Sequence, residues 1–61
     1  MPSVKDRFAA NMAILASLTA LAKKHQDWRF HQLLQNAGVS LPGEDQFYEE
    51  SGKTLDRMRR A

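Results

Sequence analysis

Four carboxylates, Glu44, Asp45, Glu49 and Glu50, fall within one short stretch of the chain. General acid–base work or cation binding would need two or three such groups facing one another in a partly dry cleft. A chain of 61 residues offers little depth for a cleft of that kind, so these acids read as a solvated turn. His25 and His31 are six residues apart, a spacing that puts them on different helices or on different faces. Two histidines without a cysteine fall short of a structural metal site. No nucleophile–base spacing and no glycine-rich phosphate loop is legible. The sequence therefore assigns no catalytic, cofactor-binding or metal-ligating residue, and the expectation is a protein that is not an enzyme.

Two patterns could read nucleic acid. Near the C-terminus, Lys53 and Arg57 share a helical face, Arg60 follows one turn on, and Arg59 lies beside it. Such a group can contact phosphates, and it can equally be a solvated helix end that complements the helix dipole. Residues 33–40, Leu-Leu-Gln-Asn-Ala-Gly-Val-Ser, look like a helix running into the tight turn of a helix-turn-helix. Pro42 and Gly43 would then interrupt the recognition helix, and Glu44, Asp45, Glu49 and Glu50 would face phosphates with the wrong sign. A helix end followed by a loop accounts for the same residues.

The elements that position these groups are constrained first by size. One domain, residues 1–61, is all the chain can form, and a domain this small buries only roughly 60% of its unfolded surface. Small domains usually depend on disulfides, a metal, oligomerisation or unusually good helix packing. With no cysteine, helix packing and self-association remain. Nine basic and seven acidic side chains leave a formal charge of +2 without a continuous basic stripe. The excess sits in residues 1–24, where Lys5, Arg7, Lys23 and Lys24 outweigh Asp6, whereas residues 41–61 run from acidic to basic.

A first helix is expected from Val4 to about Lys24. Ser3 followed by Asp6 makes a capping-box-like start, and Lys23 and Lys24 suit the negative end of the dipole. Val4, Phe8, Met12, Leu15, Leu18 and Ala22 keep helical spacing, and Ile14 and Leu21 widen the apolar stripe to nearly half the circumference. The uncharged run Phe8–Ala22 behind Lys5 and Arg7 has some signal-peptide character, but Asn11, Ser17 and Thr19 dilute it. It is also shorter than the ~20 residues a bilayer span needs, so a cytoplasmic protein is expected.

A second helix is expected from Asp27, as N-cap, to Ala37, with Phe30, Leu33, Leu34 and Ala37 on its apolar face and Gly38 as C-terminal cap. Leu41-Pro42-Gly43 reads as a turn. Asp45 could cap a short helical turn carrying Phe47 and Tyr48, and Ser51 a further piece, Gly52–Arg60, that buries Leu55 and Met58. A break near Ser51 is favoured over one straight helix. Phe30 and Phe47 are expected inside, with Trp28 and Tyr48 at the edge. The fold class is thus an all-α three-helix mini-domain with a long first helix, a short second and a broken or kinked third, stabilised by homodimerisation.

Residues 29–36, Arg-Phe-His-Gln-Leu-Leu-Gln-Asn, followed at 45–51 by Asp-Gln-Phe-Tyr-Glu-Glu-Ser, carry a resemblance. The stretch from about 27 to 55 resembles a loose group of small helical bacterial and phage proteins, most of them uncharacterised. These share an Arg-Phe-x-Gln-Leu-x-x-Asn helix, a variable loop and Asp-x-Phe-Tyr ahead of an acidic helix start. His31 stands where a glycine is common and Ser51 where an aspartate is common. The resemblance implies a helical mini-domain from a bacterium or mobile element and brings no activity. It also suggests a clamp in which Arg29 pairs with Glu49 or Glu50.

Function is left open between two classes. The first is a protein–protein interaction module, homodimeric or bound to a larger protein partner, that uses Phe8, Met12, Ile14, Leu15, Leu18 and Leu21 as its surface. A phage-encoded inhibitor of a host enzyme is one form of it. The second is a small nucleic-acid-binding regulator using Lys53, Arg57, Arg59 and Arg60. Neither involves a cofactor or a membrane.

Overall fold

Ser3 caps the first helix, its hydroxyl accepting the Asp6 N–H at 3.1 Å. This computed structural model describes residues 3–60. Helix α1 runs Val4–Lys24 and is 21 residues long, with Asp6 in its first turn and Lys23 and Lys24 in its last. Both ends thus carry the charge sign that the helix dipole favours.

His25 ends α1 by donating its N–H to the Leu21 carbonyl at 2.9 Å. The chain then folds back on itself. The Trp28 N–H reaches the His25 carbonyl at 3.1 Å. The indole stacks on the imidazole, with ring centroids 3.9 Å apart and planes 5° from parallel. Residues 26–28 are therefore a turn, and helix α2 spans Phe30–Asn36 with Arg29 as an extended N-cap that lends no side-chain bond. The start expected at Asp27 is displaced because the reversal between two helices occupies those residues.

At its other end α2 closes as the glycine predicts. Gly38 sits at φ 85° and donates to the Gln35 carbonyl at 3.1 Å, while Val39 donates to Leu34 at 2.9 Å. That is a Schellman closure, which requires the left-handed backbone that glycine adopts without Cβ strain. The Leu41-Pro42-Gly43 turn follows, with Glu44 N–H on the Leu41 carbonyl at 3.2 Å and Gly43 at φ 75°.

Residues 45–50 are not helical. The Asp45 carboxylate accepts the Phe47 N–H at 2.9 Å, and Glu49 N–H bonds the Gln46 carbonyl at 3.0 Å. Asp45 thus caps a turn whose tip carries Phe47 and Tyr48, ring against ring edge at 4.9 Å. Helix α3 occupies Ser51–Arg60, its first backbone bonds running to the Glu50 carbonyl. The break expected near Ser51 is present. Ser51 itself is the first helical residue, and its hydroxyl donates across to the Asn11 amide oxygen on α1.

α1 packs against both α2 and α3. The interior is thin: among the described side chains, only Leu33 and Ala37 form a fully buried apolar core. Ile14, Leu18 and Leu21 from α1, Leu34 from α2, and Leu55 and Met58 from α3 surround it half-buried. Phe30 and Phe47, expected inside, are 64% and 80% exposed. Phe30 starts α2 and so lies beyond the helix crossing, whereas Phe47 rides on the outward tip of the 45–50 turn.

Candidate interaction surface

At 100° per residue, the large apolar residues of α1, together with Ala10, divide into two adjoining arcs of about 80° each. Ala10, Ile14, Leu18 and Leu21 fill one arc, which is turned toward the rest of the domain and half-buried. Val4, Phe8, Met12 and Leu15 fill the other and remain 80%, 64%, 50% and 55% exposed. The six residues proposed from sequence for an interface are thus split. Phe8, Met12 and Leu15 lie on the open arc, and Ile14, Leu18 and Leu21 on the covered one.

Polar bonds hold the covered arc in place. Arg7 on α1 grips Glu50 ahead of α3 through both carboxylate oxygens, Nη2 at 2.7 Å and Nε at 3.1 Å. One turn further along, Asn11 receives the Ser51 hydroxyl. Arg7 falls within the covered arc and Asn11 between the two arcs, so these bonds turn that side of α1 toward α3 and leave Phe8, Met12 and Leu15 exposed.

The accessible surface is large for the mass. The chain exposes 4972 Å² at 6.9 kDa, whereas a compact monomer of that mass is expected to expose about 4000 Å². The radius of gyration, 11.7 Å, likewise exceeds the ~10.5 Å expected for this length.

The basic residues read as a nucleic-acid footprint are also divided. Lys53, Arg59 and Arg60 are exposed. Arg57 is not free. Its Nη1 and Nη2 hold the Glu49 carboxylate at 2.9 and 2.7 Å, while Nε and Nη2 donate to the Gly38 and Val39 carbonyls at 2.6 and 2.8 Å. The side chains of this pair are only 19% and 13% exposed. The Arg57 hydrogen bonds, with a second bond from the Thr54 hydroxyl, hold the Glu49 carboxyl down at about 2, and the pairing raises Arg57 above its ordinary value.

The clamp expected from Arg29 is not formed, and two other arginines hold the acids instead. Glu49 is held by Arg57 and Glu50 by Arg7, while Arg29 stays exposed as the α2 cap. Spacing gave no hint of this. Glu49 and Arg57 are neighbours only because α3 begins between them, and the Gly38 and Val39 carbonyls lie 19 and 18 residues away in sequence.

Comparison with protein-family models, curated proteins and solved structures finds no match for this chain.

The acids first weighed as a site are thus engaged in the fold or exposed: Asp45 in its turn, Glu49 on Arg57, Glu50 on Arg7, and Glu44 open to solvent. Among the described residues no pocket forms, and no three His, Asp or Glu side chains converge at metal-binding distance. No helix among them is long and apolar enough to cross a membrane.

Proposed function

We propose that this chain is a non-enzymatic protein–protein interaction module that works through the open arc of α1: Val4, Phe8, Met12 and Leu15. The observation that carries the reading is the division of one helix into a face used by the fold and an adjoining face of large apolar side chains left at least half exposed. A contiguous apolar patch of this kind, bordered by charged ends, is the usual mark of a partner surface. A bacterial or phage regulator or inhibitor, acting in the cytoplasm, fits both the resemblance at residues 27–55 and this geometry.

The alternative of a nucleic-acid regulator draws on Lys53, Arg59 and Arg60, which are exposed at the end of α3. Engagement of Arg57 by Glu49 leaves that group with three exposed cations among acids of comparable number. Three phosphate contacts would give weak binding, with a salt dependence shallower than that of a protein making about six to ten.

The test is photo-cross-linking in living cells with a benzophenone side chain at Met12 and, as a control, at exposed Asp56 on α3. Adducts from position 12 and none from position 56 are expected. A chain that forms no adduct from position 12 is not working through this face.

A further inference from the structure

We propose that the occupant of the open arc is a second copy of this chain, docked as an antiparallel α1–α1 pair about a two-fold axis. The proposal rests on the interaction reading above and names its partner.

Spacing points to a helix as the partner. Phe8, Met12, Leu15, Thr19 and Ala22 are exposed and follow one another at alternating intervals of four and three residues, the seam spacing of a coiled coil. Small side chains line one edge of the seam at Ala9 and Ala16, both exposed, so a second backbone can come close and a large knob can seat between them. Large and small positions on one seam make it complementary to itself, as a two-fold interface requires.

The seam is also ready to lose water. From Phe8 to Ala22 α1 carries no charge. The Thr19 hydroxyl is donated to the Leu15 carbonyl at 2.8 Å, and the Asn11 amide oxygen already receives Ser51. Covering the seam therefore leaves only the Asn11 amide N–H groups, at its border, to be met by a partner or by water.

Charge decides the direction. Lys23 and Lys24 make the C-terminal end of α1 positive, while at the other end Lys5 and Arg7 are balanced by Asp6 and by Glu50, held on Arg7. Parallel pairing would set two positive ends side by side. Antiparallel pairing sets each positive end against a balanced one and opposes the two helix dipoles.

Val4, Phe8, Met12 and Leu15, each at least half exposed, offer on the order of a few hundred Å² of apolar surface toward the ~800 Å² that each partner contributes to a standard interface.

Three measurements test this. Sedimentation equilibrium from about 1 to about 500 µM should show the mass rising from one to two chains, and Phe8→Glu should hold it at one. If Phe8→Glu is misfolded, Ala16→Glu at the exposed edge of the seam serves instead. A monomer throughout that range overturns the proposal. The chain has no cysteine, so Lys5→Cys and Ala22→Cys proteins can be mixed under mild oxidation. Antiparallel pairing expects the mixed disulfide to exceed its statistical share several-fold, and an excess of the two homodisulfides overturns the orientation. The Met12 cross-link then separates this proposal from the reading beneath it. An adduct of twice the 6.9 kDa chain mass supports the second copy. An adduct of another mass sinks the second copy and leaves the interaction surface standing, and no adduct sinks both.

Discussion

Replacing Arg57 with methionine keeps the length and apolar stem of the side chain and deletes the guanidinium that joins three segments. That group makes four hydrogen bonds, two to Glu49 and two to the carbonyls of Gly38 and Val39. The two carbonyls belong to the residues that close α2, so the arginine ties the end of α2 to α3 and to the 45–50 turn. A charged donor on a half-buried carbonyl is worth about 1 kcal/mol net, which makes the two backbone bonds together about 2 kcal/mol. A domain of this length has a total stability of roughly 3–9 kcal/mol, so that loss is a substantial share. At about 4–8 °C per kcal/mol, the midpoint should fall by roughly 10 °C. Arg57→Lys should fall by less, because one ammonium can serve Glu49 or the carbonyls but not all of them. Thermal unfolding followed by far-UV circular dichroism at fixed protein concentration reads both variants. A midpoint for Arg57→Met within about 2 °C of the parent would place this pair with ordinary surface ion pairs of negligible worth, and the reasoning would fail.

Three further outcomes follow from the same geometry. The Glu49 carboxyl is held down at about 2 from an ordinary 4.5, so its contribution should be complete above about pH 5 and be lost as pH falls from 4.5 toward 2; the acid arm of the stability profile should flatten in Glu49→Gln. Gly52 lies inside α3, and a Cβ added there would meet nothing within 4 Å. Gly52→Ala should therefore raise stability by about 0.5–1 kcal/mol in urea unfolding, and a loss would mean that the helix does not run through it. Leu33 is 6% exposed at the centre of the thin core, so Leu33→Ala should cost at least about 2 kcal/mol and leave little cooperative unfolding by calorimetry.

Local chemistry made much of the fold legible in the sequence. Ser3 and Asp6 marked the start of α1, and Gly38 and the Leu41-Pro42-Gly43 turn marked where the chain must leave helical geometry. Gly52 beside Ser51 marked the start of α3. These are signals that act over a few residues. Whatever depends on residues distant in sequence was hidden. Asp27 is a good N-cap by type, but the stacking of Trp28 on His25 moves the start of α2 to Phe30. Phe30 and Phe47 are apolar enough for a core, yet which side of a helix finds a neighbour is decided only when the helices cross. The same holds for the candidate surface. Spacing showed that α1 carries more apolar face than one short helix can cover, but not that Ile14, Leu18 and Leu21 are the covered part. The Arg57 lock joins residues that only the folded chain brings together.

Whether α1 serves the fold with one arc and a partner with the other is tested most directly by one comparison. Phe8→Glu and Leu18→Glu place the same charge on the two arcs, and thermal unfolding at about 1 µM, set against the dilute parent, reads the effect on the single chain. The account expects Phe8→Glu to keep the parent's helicity and midpoint, and Leu18→Glu to lose cooperative unfolding. Equal damage from both, or greater damage from Phe8→Glu, would contradict it.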